Sequence, residues 1–204
     1  MRIFRRMMAA IAGAMLIIGA LSLTSSPGFA IRFPSPKIRE GQGDKGGEAY
    51  QSPLITGDTT LYPEDNPHVF LEDLEVPAGA TLTITPGCEL RFGPNVAFII
   101  RGRLWAEGAP TQTIRLTNHD PDQYWSRIVF AHAEGRNRIA YTEIDNFHGL
   151  YAQYSEIELL HSEISYVNED AVVATGGRAL IQHNHIHHVG YDTSAEGIQI
   201  RDTP

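Results

Sequence analysis

Lysine is missing from most of this chain: Lys37 and Lys45 are the only two, and both precede Leu54. From Leu54 onward nine arginines face twenty-one carboxylates, a net of 9 − 21 = −12 with histidine neutral. A surface so acidic repels phosphate backbones, which argues against nucleic acid as a partner. Cysteine is scarcer still. Cys88 is the only one in 204 residues, so no internal disulfide can form and the fold must rest on packing. It follows Pro86-Gly87 where apolar residues alternate, the setting of a buried structural thiol. Asn-Gly and Asp-Gly dipeptides are absent, so tight two-residue hairpins are not signalled. Residues 74–117 offer no apolar stripe of helical period.

What is present begins with a leader. Arg2, Arg5 and Arg6 precede an apolar run from Met7 to Leu23, and Gly28 and Ala30 place small side chains where a signal peptidase cuts. Residues 1–30 read as a signal peptide, which implies a secreted or periplasmic protein with no stable membrane anchor after cleavage. Residues 31–53, rich in proline and glycine, read as a flexible linker. The folded domain then spans 54–204, long enough for one real core.

Inside that domain lies a repeat. Tyr141-Thr-Glu-Ile144, His161-Ser-Glu-Ile164 and His183-Asn-His-Ile186 superimpose, their isoleucines 20 and 22 residues apart. A second set of anchors, Leu150, Val172 and Ile198, follows at spacings of 22 and 26. A period in the low twenties built of short β-like segments is the mark of a solenoid whose coils share one core. Both sets of anchors should point inward and stack. Thr142, Ser162 and Asn184 should form an inward polar ladder at a corner, and His161 should stack under His183. Upstream, Leu74-Glu-Val76, Thr81–Ile84, Glu89–Phe92, Ala97–Ile100, Gly102–Gly108 and Ile114–Thr117 alternate with period two between Pro-Gly and Gly-Pro punctuation. About fifteen short strands at three per coil predict about five coils. Trp105 and Trp125 are core candidates. The last strand, Gly197–Arg201, has no amphipathic cap after it, which points to further coils in cis beyond Pro204 or, as the alternative, to a last coil covered by another chain.

The run Val76-Pro-Ala-Gly-Ala-Thr-Leu-Thr-Ile-Thr-Pro-Gly-Cys-Glu-Leu-Arg-Phe-Gly93, followed by Gly102–Gly108 and Ile114–Thr117, resembles the opening coils of right-handed parallel β-helix proteins. The later Ile…Gly-Ile coils resemble the pectin-lyase-like and NosD-like repeats of that superfamily. The resemblance covers about residues 56–204 and implies an all-β, single-stranded, right-handed parallel β-helix. It is specific for fold and poor for activity, since the superfamily hosts lyases, hydrolases, epimerases, adhesins and inert stalks.

Three outward features could carry chemistry. Glu143, Glu163 and His185 each precede an inward isoleucine, so carboxylates stack at strand spacing where a cation would relieve their repulsion. The run His183-Asn-His-Ile-His-His188 adds His183 beside His185 as a metal ligand, with His187 and His188 placed at a bend. No motif demands a cofactor; calcium or a transition metal is what these groups would take. His148, Asp170 and Glu196, each two residues before a second-set anchor, have the residue types for acid/base catalysis on a sugar ring. Tyr151, facing outward, with Gln199 and Arg201, would line the substrate. No lysine base is available to a lyase.

The leading expectation is a secreted module that binds polysaccharide or cell-surface glycan, or serves as a surface scaffold, without catalysing a reaction on its own. One alternative is a polysaccharide lyase, epimerase or glycoside hydrolase using His148, Asp170 and Glu196. Another is a periplasmic metal-binding β-helix.

Overall fold

The computed structural model describes residues 55–190 and 194–201. The expected signal peptide, the linker and Tyr191 lie outside them. Among the described residues there are fifteen strands and a single 3-10 turn at Pro63–Asp65. No described helix is long and apolar enough to cross a membrane.

The strands stack in parallel on three faces. The first face holds Thr59–Leu61, Thr81–Ile84, Arg103–Glu107, Arg136–Ala140, 156–160 and 178–182. The second holds His68–Phe70, Glu89–Phe92, Ile114–Asn118, 142–147, Glu163–Val167 and His185–Val189. The third holds Leu74–Val76, Phe98–Ile100, Trp125–Ala131, 149–153, 172–175 and Ile198–Arg201. The result is a β-solenoid of about six turns. Strand counting falls one turn short for a physical reason. Thr142–Leu160 is one continuous strand of 19 residues that serves three faces, and Val172–Gln182 serves two.

Those long strands bend without breaking because single residues turn the corners. His132, Tyr141, Asn146, Tyr154, His161, Tyr166, His183 and His188 all adopt left-handed backbone, with φ between 48° and 57°. One such residue redirects the chain while its neighbours stay in the parallel ladder. The conformation costs a non-glycine residue about 1–2 kcal/mol. Ring stacking between successive turns offsets part of it. Tyr141 stacks on His161 at 4.9 Å and His161 on His183 at 4.7 Å. At another corner His132 stacks on Tyr154 at 5.0 Å, and at the third Tyr166 stacks on His188 at 4.8 Å.

The core runs the length of the solenoid in registered columns. Ile144, Ile164 and Ile186 are aligned, as are Leu150, Val172 and Ile198. Leu74, Phe98 and Ile128 extend the second of these columns upstream. Through the middle runs an aromatic stack, Phe70 on Phe92 at 5.5 Å, Phe92 on Trp125 at 4.4 Å and Trp125 on Phe147 at 5.2 Å. Trp125 is fully buried and donates its indole N–H to the Asp145 carbonyl. Trp105 instead faces outward, half-buried, with Arg103 and Arg138 over its ring. It sits one residue out of step with buried Leu104 and Ala106, so alternation puts it on the solvent side. Cys88 is buried, and its thiol lies 3.4 Å from the Leu61 carbonyl.

The inward polar ladder forms through backbone groups. Ser162 Oγ accepts the Thr142 N–H, and Asn184 Oδ1 accepts the Ser162 N–H. Asn184 Nδ2 then donates back to the Leu159 carbonyl at 2.7 Å. Each side chain thereby satisfies a corner amide that the strand ladder leaves unpaired. In the last turn the same apolar columns come to the surface: Ile198 is 45% and Ile200 60% exposed.

Candidate functional site

A densely bonded outward cluster lies where the second face turns into the third. Its residues come from three successive turns. Arg127 belongs to Trp125–Ala131, His148 and Tyr151 to the long strand, and Asn168 and Glu169 to the loop after Glu163–Val167. The register explains how they meet. Phe147 pairs with Val167 and Leu150 with Val172, so the fifth turn has two more residues between these points than the fourth. That added length is what lets Glu169 fold back over its neighbours.

Glu169 is the hub. Both its oxygens accept from Arg127 Nη2 at 2.6 Å, Oε2 accepts the Tyr151 hydroxyl at 2.9 Å, and Oε1 lies 3.2 Å from His148 Nδ1. Asn168 Nδ2 approaches the same imidazole nitrogen at 3.5 Å. The Arg127 guanidinium also sits 5.2 Å over the Tyr151 ring, and Tyr124 meets His148 edge-on at 6.0 Å. The hydrogen bond from Arg127 above all, helped by those from Tyr151 and His148, holds the Glu169 carboxyl down at about 2. Burial first, then the bond to Glu169, pushes the Tyr151 phenol up. The pair remains half open to solvent, with side-chain exposures of 42% for Arg127 and 37% for Glu169.

Of the acid/base trio expected from the repeat, only His148 lies in this cluster. Asp170 Oδ1 accepts the Glu196 backbone N–H at 2.7 Å. Asp73 does the same for the Ala97 N–H at 2.8 Å, so Asp170 performs a recurring corner-capping task. Glu196 accepts from Gln199 Nε2 at 3.1 Å. His148 meets Glu169, one residue earlier than Asp170. Tyr151, Val173 and Gln199 share one outward column, two turns from end to end, while Arg201 pairs with Thr175 in the next column.

The metal candidates also regroup. Glu143, Glu163 and His185 are registered neighbours, as the repeat implies. Glu143, however, accepts from Thr113 Oγ1 at 2.9 Å, and His183 is drawn into the corner stack beneath His161. His187 is not at a bend but within the strand His185–Val189, and His188 makes the corner. Glu163, His185 and His187 present ligand atoms within 4.8 Å of one another. Arg127 and Glu169 escaped notice because they occupy no repeated position.

Fold and surface together define a parallel β-solenoid with a half-open polar and aromatic patch on its side. Against known proteins, the chain is 40% identical over 62 residues to Protein bark beetle of Drosophila melanogaster. The match covers 30% of this chain and 2% of that much longer protein. No family model and no solved structure matches the chain.

Proposed function

We propose that this chain is an exported β-helix of the pectin-lyase-like and NosD-like kind, and that it engages neutral glycan as a non-catalytic surface module. The observation that carries the reading is the Glu169 patch. Arginine, carboxylate, amide and imidazole groups converge there between two tyrosines, on the flank of a solenoid along which an extended chain could lie. Planar polar groups set among rings match alternating hydroxyls and apolar C–H faces of a sugar. The acidity of the domain favours neutral over uronate polymers.

The same cluster leaves Glu169 no part as a general acid. A general acid needs a pKa near the working pH, and a carboxyl held at about 2 by Arg127 is ionised at neutrality and a feeble base.

Titration of the full chain with a panel of neutral oligosaccharides tests the proposal. Saturable binding that falls about tenfold or more in Glu169→Gln and Tyr151→Phe is the expected result. Failure of every glycan to bind above background would overturn it.

A further inference from the structure

We propose that Glu163, His185 and His187 form a binding site for a divalent transition metal ion of the zinc class, independent of the glycan patch. The site follows from strand geometry. In a strand, residues two apart project to the same side. His185 and His187 therefore both face outward from the last rung of the second face, anchored by half-buried Ile186 between them. The neighbouring strand places Glu163 opposite His185 and Ser165 opposite His187. Two imidazoles and one carboxylate thus meet at the side of the solenoid, from two adjacent turns.

Distances and local chemistry suit an ion. His187 Nε2 lies 2.9 Å from Glu163 Oε1, and the His185 and His187 rings are 4.4 Å apart. With zinc–ligand bonds of about 2.0–2.2 Å, the ligand atoms of a tetrahedral ion lie about 3.3–3.6 Å from each other. Present separations run from 2.9 Å to at most 4.8 Å, within reach of side-chain rotation at the exposed Glu163 carboxylate and the exposed His185 imidazole. The ion enters between His187 Nε2 and Glu163 Oε1, replacing the hydrogen bond between them. His188 Nδ1 contacts His187 Nδ1 directly, so a hydrogen held on the His187 Nδ1 leaves Nε2 as a free lone pair for the metal.

Charge points the same way. Glu143 is registered beside Glu163, so a second carboxylate adds negative potential at strand spacing. On the far side of Glu143 stands Arg115, which is paired with Asp145. Glu163 has no arginine at its own rung; its hydrogen-bond partner is His187, which stands opposite Ser165. Two neutral imidazoles and a carboxylate select late first-row ions over calcium, which prefers an all-oxygen shell. Three protein ligands also leave a coordination position open to water or an exogenous group.

Calorimetric titration of the full chain with zinc chloride decides the matter, with a thermal melt of each variant to confirm folding. One equivalent should bind to the wild type and raise its melting temperature. Glu163→Gln and His187→Asn should each lower the affinity about tenfold or more, while His183→Asn, which alters only the corner stack, should leave it unchanged. Absence of stoichiometric uptake by the wild type would overturn the assignment. So would uptake that survives Glu163→Gln and His187→Asn, or uptake lost in His183→Asn alone, which would move the ion to the corner histidines.

Discussion

The first three turns of the solenoid and the last three solve one problem, turning a strand through a corner, in different ways. In the first three, glycines serve at two corners, Gly79 and Gly87 at φ of 80° and 82°, close after Pro77 and Pro86, while Asn95 and His132 are the left-handed residues that are not glycine. The strands there are 3–7 residues long and the core is filled by Phe70, Phe92, Phe98 and Trp125. In the last three, histidine, tyrosine and asparagine join glycines in left-handed backbone, strands run on through the corners, and beyond Phe147 the core side chains shrink to leucine, isoleucine, valine and alanine. Glycine makes a corner without strain but adds no contact. An aromatic corner is strained, yet when the same corner recurs one turn later the rings support each other. The first half thus takes its stability from inside, and the second takes part of its stability from ladders on the outside.

That contrast predicts a graded set of outcomes. The largest effect belongs to Trp125→Ala, which empties the centre of the aromatic core stack and should cost about 3–5 kcal/mol in denaturant unfolding. The comparable truncation in the last turn, Ile186→Ala, should cost clearly less, because Ile186 is only half-buried. Equal losses would show that the two halves do not differ in this way.

Next comes Gly149→Ala. Gly149 has a φ of 138°, and an added methyl would meet the Asp170 carbonyl oxygen at 2.3 Å. A loss of about 2–3 kcal/mol is expected, together with displacement of the adjacent His148.

His161 separates strain from stacking. His161→Ala keeps the left-handed backbone and removes a ring stacked on both sides, so it should destabilise by about 1–2 kcal/mol. His161→Gly also loses the ring but relieves the strain, and should cost less than the alanine variant. If alanine proves no worse than glycine, the corner carries no strain for the ladder to offset.

The smallest effect is electrostatic. Because the Glu169 carboxyl is depressed from 4.5 to about 2 in the folded state, it contributes stability that is present above pH 4.5. That contribution is lost as pH falls from there toward 2. The unfolded chain binds the proton first, so acid favours unfolding. With the pair partly exposed, the contribution is on the order of 1 kcal/mol after screening. Melting temperature followed between pH 6 and 3 should fall less steeply in Glu169→Gln than in the wild type.

Much of the fold was legible because a solenoid writes its structure into periodic positions. The inward isoleucines, the Thr142–Ser162–Asn184 ladder and the His161–His183 stack all sit at repeated places. The number of turns was harder to read, since a one-residue corner leaves no proline or glycine in the sequence to mark it. Glu169 was hidden for a related reason. It lies in the two residues by which the fifth turn exceeds the fourth, and a repeat alignment discards such residues as slack. His187 looked like part of a bend only because four histidines crowd together; in the structure the corner falls at His183 and His188, and the strand runs between them.

The most direct test of the central claim is to incubate the full chain with neutral polysaccharides, with and without calcium, measuring retention of the polymer and the mass of any soluble products together. Retention that weakens in Glu169→Gln and Tyr151→Phe, with no shortened or unsaturated products, is the predicted result. Products that form with the wild type and vanish in Glu169→Gln would contradict it, and would make the patch an active site.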